Sequence, residues 1–208
     1  MSQFSAYHMV LTMALNESLK RFEDLEDRRS AGRIGEPDSD ARYASSLHPF
    51  VAKYHAASAA TVLLAAATVE AYSNFFISSK TDPATFEMLE RTKLIEKWAQ
   101  VIPLLEPSYS IDKEGQLYQD LVLLVRRRNQ ILHPKPQMEL DSGVVHKGNP
   151  PEGLSDESGF VKNSASLPSR LLESLCKTGS DDARTLLVCS GLPYEQIKRI
   201  EKSCDDPV

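Results

Sequence analysis

The chain has 208 residues, of which 41% are hydrophobic and 25% are charged, a composition ordinary for a soluble globular protein with one substantial core. Its formal net charge of −5 argues against a general polyanion binder, so any nucleic-acid site must be a local patch. The three cysteines are odd in number and lack CxxC spacing, so they imply neither a disulfide framework nor a zinc site and favour a reducing cytoplasm.

The composition favours an all-α protein, because glycine is sparse and the polar–apolar alternation typical of strands is scarce. We predict a helical bundle of about four to five main helices with a short helical C-terminal appendage. Residues 1–22 carry Glu17 and polar interruptions instead of a basic start and an apolar core, so no signal peptide is expected. The most apolar run, 56–69, has only 14 residues and is too short to span a bilayer, so no membrane partner is expected.

The first two predicted helices are separated by a loop. An amphipathic helix extends to about residue 28, and the glycines, prolines and aspartates of 30–46 are typical of a loop. A second helix is predicted from about Pro49, a residue favoured in a first helical turn, to about residue 79. Its centre is small or apolar on all sides, which indicates burial between neighbouring helices.

Glu70 interrupts this apolar helix, and Asn74 follows one turn later on the same face. A buried carboxylate is unfavourable unless a cation or an N–H group pairs with it, so Glu70 is predicted to have such a partner. The alternative is that Glu70 faces solvent or an internal water.

A third helix is predicted to begin with Asp82 as its N-cap and Pro83 in its first turn, and to end near 103–107. A fourth helix follows, and its opening can be capped by Ser110 or Asp112.

The C-terminal third has a different composition from the rest of the chain. Residues 137–167 show little periodicity and many Gly, Pro, Ser and Asp residues, so a long loop is predicted there. Residues 168–208 are predicted to form short helices that pack on the bundle. The predicted domain is therefore 1–136, built from an N-terminal helix over 1–28 and a core over 48–136.

The fourth helix ends in a run of cationic and polar residues. Its apolar side follows the i, i+3/4, i+7 rhythm of a buried stripe, and Pro134 is predicted to end it near His133. Asn129 and His133 are four apart and share a face. Arg128 and His133 are about 140° apart around the axis and roughly 7.5 Å apart along it, a separation that a long arginine side chain can cover. A permanent cation and a proton-exchanging imidazole can therefore meet at one point, which suits chemistry on a phosphate.

The segment from Arg128 to His133, Arg-Asn-Gln-Ile-Leu-His, resembles the Arg-x(4–6)-His motif of HEPN domains, named for higher eukaryotes and prokaryotes nucleotide-binding. The Pro-Lys-Pro of 134–136 adds to the likeness. The segment 68–75, with its Glu-Ala pair and its Asn, is similar to the long first core helix of that family. A second match to the bare pattern, from Arg42 to His48, is interpreted as accidental.

The resemblance covers roughly residues 48–136 and implies an α-helical bundle that forms a homodimer with its two motif helices facing each other. It also implies a metal-independent endoribonuclease without a cofactor. In that scheme the ribose 2′-hydroxyl attacks the adjacent phosphate and leaves a 2′,3′-cyclic phosphate end. His133 would act as general base or acid, and Arg128 would hold the phosphate and stabilise its developing charge.

The same resemblance implies supporting roles for other residues. Asn129 and Glu70 would orient His133 or an arginine. Arg126, Arg127 and Lys135 would supply the local positive field that binds RNA. The setting implied is that of a cytoplasmic bacterial toxin or anti-phage ribonuclease, with an antitoxin or regulatory protein as a further partner.

Two other functions are compatible with the sequence, one argued from the end of the fourth helix and one from the C-terminal residues. An arginine-rich helix end before a proline is also typical of a solvated C-terminus, with His133 as its capping residue. The bundle would then be a non-catalytic RNA-binding or dimerisation scaffold. Residues 191–200 have helix-turn-helix spacing, although Leu187 stands where that motif needs a small residue, so DNA binding is the weaker alternative.

Overall fold

The computed structural model describes residues 3–32, 40–133 and 154–205. Within these ranges the chain is helical and contains no strand, which confirms the predicted all-α class. A π-helical turn, Lys97–Val101, lies between two short α-helices, Leu94–Glu96 and Ile102–Leu105. The α-helices are α1 (Gln3–Gly32), α2 (Asp40–Lys80), α3 (Pro83–Leu89), α4 (Leu94–Glu96), α5 (Ile102–Leu105), α6 (Gln116–Leu132), α7 (Leu154–Cys176), α8 (Asp181–Cys189) and α9 (Tyr194–Asp205).

The long helix α2 is the centre of the fold, since α1, α6, α7 and α8 all pack against it. Its alanines at 65 and 66 are fully buried, and such small side chains allow neighbouring helices to approach closely. Helix α1 lies along α2, where the hydroxyls of Ser18 and Ser58 are 3.0 Å apart and buried. The predicted burial of α2 is therefore confirmed.

Helix α2 begins earlier than predicted. It starts at Asp40 instead of near Pro49, and α1 continues to Gly32. The predicted loop over 30–46 is therefore wrong for 30–32 and 40–46, which are helical, while 33–39 lie outside the described residues. Pro49 sits inside the helix because a proline removes one backbone hydrogen bond without forbidding the helix on either side.

The apolar part of α2 is longer than the 14-residue run over 56–69. By length and composition, the part of α2 from His48 to Lys80 is long and apolar enough to cross a bilayer, so the 14-residue run was too narrow a measure. However, 56% of its most apolar window is buried inside the protein. That burial is typical of the core helix of a soluble protein.

The predicted third helix is two shorter helical segments. Its start is confirmed: the Asp82 carboxylate accepts hydrogen bonds from the N–H groups of Ala84 at 3.0 Å and Thr85 at 3.1 Å. The helix then ends at Leu89, and a new segment begins after Lys93. The break falls in an exposed, mostly polar stretch that has no apolar face to bury.

Neither predicted residue caps α6. The N-cap is Gly115, and the Asp112 carboxylate instead accepts a hydrogen bond from the N–H of Glu114 at 2.9 Å. A Cβ atom on Gly115 would lie only 3.0 Å from Asp112 Oδ2, so any other residue here would require Asp112 to shift slightly.

Helix α7 overturns part of the predicted loop over 137–167. It begins at Leu154 and continues through Pro168, which was predicted to start a helix. The correction applies to 154–167, because the rest of the predicted loop, 137–153, lies outside the described residues. The polar composition hid a buried stripe with helical spacing: Val161, Ser164, Leu167, Leu171 and Leu175.

The C-terminal helices share one hydrophobic core with the rest of the bundle, whereas the sequence analysis set 168–208 apart from the domain over 1–136 as an appendage packed on it. Helix α7 packs against α1, α2 and α6, and α8 packs against both α2 and α7. Leu172, Leu186 and Ile200 are buried in the same cluster as the apolar residues of α2 and α6. These helices supply apolar surface that the central helices need for burial.

Candidate functional site

The end of helix α6 carries the motif. The helix ends at Leu132, with His133 as C-cap, and the N–H of His133 donates to the carbonyl of Asn129 at 2.9 Å. The predicted helix end is confirmed. The predicted apolar stripe is also confirmed, since Leu121 and Leu124 are fully buried, whereas Leu132 is exposed.

The three consecutive arginines point to different surroundings. Arg126 is exposed. The guanidinium of Arg127 lies 5.6 Å from the ring centroid of Phe160 on α7, beside a cavity of about 270 Å³. Arg128 turns toward α2, with Nη2 at 3.6 Å from Glu70 Oε2. The run Arg126–Arg128 is therefore not one cluster, and of the three only Arg128 reaches Glu70.

Glu70 has the predicted cationic partner, and in fact two of them. Its second carboxylate oxygen, Oε1, lies 3.8 Å from the Nζ atom of Lys97. Its side chain is 35% exposed, so Glu70 lies at the edge of the core, whereas the sequence predicted a buried carboxylate. The carboxylate thus bridges a cation on the π-helical turn and the guanidinium of Arg128.

Lys97 is the residue that the sequence analysis missed. Its side chain is fully buried, and Nζ donates to Asn74 Oδ1 at 2.7 Å. Burial lowers the pKa of Lys97 below its ordinary value, while the carboxylate of Glu70 acts in the opposite direction. The available signal was the position of Lys97 between Leu94 and Trp98 on an apolar face, where an unpaired lysine would be unfavourable.

The π-helical turn holds Lys97 against α2. The N–H of Ile102 donates to the carbonyl of Lys97, five residues earlier, which is the bond that defines this turn. The neighbouring Trp98 is fully buried, and its Nε1–H donates to the Val69 carbonyl on α2 at 3.4 Å. Such turns occur frequently at functional sites.

A groove of about 670 Å³ opens where Arg128 reaches the surface, between α6 and the segment from α4 to the π-helical turn. Arg128 and Asn129 line it from α6, and Asn129 is exposed. The groove brings Arg128 and Asn129 together with the Glu70 pair behind them.

His133 lies elsewhere on the helix end. It is exposed and is not part of the groove lining, about one and a half turns beyond Arg128. Lys135, the predicted RNA-binding lysine, lies outside the described residues. A single copy of the chain therefore presents a guanidinium paired with Glu70 in a groove and, outside that groove, a solvent-accessible imidazole.

Among the described residues, no group of three or more His, Cys, Asp or Glu side chains is arranged to hold a metal ion. What the site does offer is a guanidinium paired with a carboxylate 3.6 Å away and with a third of its side chain exposed. An arginine held in this way can bind a phosphate through its free N–H groups.

No family model matches the chain, and no curated protein or solved structure is significantly similar to it. The resemblance to HEPN domains therefore depends on the motif residues alone and stays a prediction.

Proposed function

We propose that the chain is a metal-independent endoribonuclease of HEPN type that cleaves RNA by attack of a ribose 2′-hydroxyl on the adjacent phosphate. The observation that carries the proposal is that Glu70 fixes Arg128 in a surface groove while His133 is exposed at the end of the same helix. Both groups needed for phosphodiester chemistry are therefore accessible to a polymer.

The roles follow from the chemistry of each group. Arg128 binds the non-bridging phosphate oxygens and stabilises the charge that develops on them. His133 takes the proton from the 2′-hydroxyl or gives one to the departing 5′-oxygen. Glu70 positions Arg128, and Asn129 contributes a polar side chain to the groove wall.

A second copy of the chain completes the site in this proposal. The exposed side chains of Leu132 and His133 lie together at the end of α6, where a second α6 can cover the apolar one. Two imidazoles and two guanidiniums would then face one cleft. The chain would act in the cytoplasm as a toxin or anti-phage ribonuclease, controlled by an antitoxin or another regulatory protein.

The second candidate function is a non-catalytic RNA-binding or dimerisation scaffold. One observation favours it: His133 serves as the C-cap of α6 and lies outside the groove that contains Arg128. A capping histidine needs no catalytic role.

RNA cleavage in EDTA separates these functions. We expect wild-type protein to cut a long RNA, and His133→Ala to cut it about 100-fold or more slowly, because proton transfer is lost. His48→Ala is the matched control: His48 is also exposed and ends the accidental motif match, so this variant should cut like wild type. Arg128→Ala should also lose activity, whereas Arg199→Ala, at an exposed position of α9, should not.

A His133→Ala protein that cuts RNA as fast as wild type would show the catalytic assignment to be wrong. A wild-type protein that dimerises and binds RNA but never cuts it would support the scaffold.

A further inference from the structure

The groove at Arg128 extends well beyond the atoms that the proposed reaction needs. It follows α6 back toward the start of the helix, where Tyr118 lines its far end. Tyr118, Val125 and Asn129 are spaced by seven and four residues, so they share one face of α6. Tyr118 and Asn129 are eleven residues apart in sequence, which corresponds to about 16 Å along the helix.

The far end of the groove combines an aromatic ring with positive charge. Tyr118 is half-buried, so its ring is fixed by packing while part of it stays accessible. Lys113 is exposed beside it, and Lys93 is exposed on the opposite wall. Lys93 lies 3.4 Å from Glu96, the one acidic residue of the lining, and Lys113 is the cation that adjoins the start of α6.

This local charge is unlike that of the whole chain, which has a formal net charge of −5. Three cations and one carboxylate line the groove. The groove walls between them are partly apolar, with Leu94, Ile95 and Val125. An elongated groove with an aromatic side chain, a mixed apolar wall and lysines at its rim has the features of a single-strand nucleic-acid site.

We propose that this groove binds the single-stranded RNA next to the scissile phosphate, with one unpaired base stacked on Tyr118 and a backbone phosphate at Lys113. The inference deepens the proposed function, since it takes Arg128 as the group that binds the scissile phosphate. A duplex keeps its bases stacked on one another, so only a single strand can place a base face on Tyr118.

Binding to a labelled oligouridine of twelve nucleotides tests the proposal. The measurement uses full-length His133→Ala in EDTA, so that the RNA stays intact. We expect Tyr118→Ala to weaken binding about fivefold or more, because one base–aromatic stack is lost. Tyr118→Phe keeps the ring and should bind like the parent. Tyr194→Ala is the matched control, since Tyr194 is exposed on α9, away from the groove.

Crosslinking gives a readout that does not depend on the variants folding. With 4-thiouridine in the same oligomer, we expect the main crosslink to fall in the peptide that contains Tyr118. Lys113→Glu should weaken binding and reduce its salt dependence, whereas Lys20→Glu, the same change at an exposed position of α1, should do neither. Crosslinks only elsewhere, or equal affinity of Tyr118→Ala and its parent, would overturn the groove assignment.

The outcomes keep the two proposals apart. Tyr118-dependent binding without cleavage by the wild-type protein would retain the groove and remove the nuclease. If cleavage depends on His133, but neither cleavage nor RNA affinity changes when Tyr118 or Lys113 is substituted, the nuclease proposal stands and the groove proposal is wrong. A wild-type protein that does not bind the oligomer at all would overturn both.

Discussion

Lys97 is the residue whose surroundings govern how Arg128 is held. A fully buried ammonium needs compensation, and here Asn74 and Glu70 provide it. Because Glu70 also contacts Arg128, the charge state of the buried lysine and the orientation of the surface arginine are linked through one carboxylate. The predicted pairing of Glu70 with a cation could be made from sequence, since an acid in an apolar helix needs a partner. Lys97 also stands on an apolar face and could have been singled out in the same way, but its partners on α2 could not be named, because those contacts are made only by the tertiary fold.

Glu70→Gln tests this link. The substitution removes the carboxylate that pairs with the buried ammonium of Lys97 and leaves only the weaker effect of Glu90, so we expect the free energy of unfolding to fall by about 1–3 kcal/mol. Cleavage should slow by about tenfold, because Arg128 loses the group that positions it. Denaturant unfolding and the RNA assay measure the two effects separately.

The double variant Glu70→Gln/Lys97→Met is the control for that experiment. It removes both charges, so stability should recover toward wild type while cleavage stays slow, since Arg128 still lacks its carboxylate. If the losses of unfolding free energy in Glu70→Gln and Lys97→Met simply add in the double variant, Lys97 and Glu70 are not coupled.

The lowered pKa of Lys97 predicts an alkaline pH dependence. Folded Lys97 releases its proton below its ordinary pKa of 10.5, whereas the unfolded chain keeps it until about that pH. The unfolded state therefore binds more protons in this window, and stability from this group rises with pH up to about 10.5. We expect the unfolding free energy of wild type minus that of Lys97→Met to increase as the pH is raised from about 7.

Taking this difference cancels the contribution of the buried Tyr72 and Tyr109 to the pH dependence of stability. Their raised pKa values lower the unfolding free energy at high pH equally in both proteins. A difference that stays flat or falls with pH would mean that Lys97 is not destabilised by its burial.

At the scale of elements, the sequence predicted well wherever a helix has one continuous apolar face and a clear end signal. Helix α6 ends where Pro134 was predicted to end it, and the Asp82 N-cap forms as predicted. The prediction of helix boundaries failed where a proline stands within a segment whose other residues favour a helix. Pro49 and Pro168 were interpreted as helix starts but lie inside helices, since packing of their neighbours outweighs one lost backbone hydrogen bond.

Helix α7 was hidden for a related reason. Its serines and its glycine are typical of a loop, yet Ser158 and Ser164 are buried at helical spacing against the central helices. Only the assembled core shows that small polar residues there allow close packing.

The place of α7 in the core predicts a large effect of Leu171→Ala. Leu171 is fully buried, so we expect the free energy of unfolding to fall by about 2–5 kcal/mol. Val188→Ala, on the exposed side of α8, should change it by less than about 0.5 kcal/mol. Denaturant unfolding of both variants distinguishes a core helix from an appendage. Equal, small effects would restore the appendage interpretation.

At the scale of the whole molecule, the proposed site is incomplete in one copy, because His133 lies outside the groove that holds Arg128. The helical bundle could be predicted from apolar periodicity. How the site is completed could not, since a two-fold interface leaves no periodic signal distinct from that of the core.

Mixing two inactive variants tests completion by a second copy. If one site takes Arg128 from one copy and His133 from the other, a dimer of Arg128→Ala with His133→Ala contains one intact site. We therefore expect the mixture to regain a fraction of wild-type cleavage, measured after joint refolding. His133→Ala refolded with the double variant Arg128→Ala/His133→Ala contains no intact site and should stay inactive. A mixture as inactive as this control would place both groups in one copy.

The most direct test of the central claim, that Arg128 and His133 act together on a phosphodiester, is the chemistry of the cut ends. An oligodeoxynucleotide with one internal ribonucleotide is incubated with purified protein in EDTA, and the products are identified by mass spectrometry. We predict a single cut after the ribose, a 2′,3′-cyclic phosphate on the upstream product, and no product with His133→Ala. Cutting at deoxyribose positions, or the same products from His133→Ala, would contradict the account.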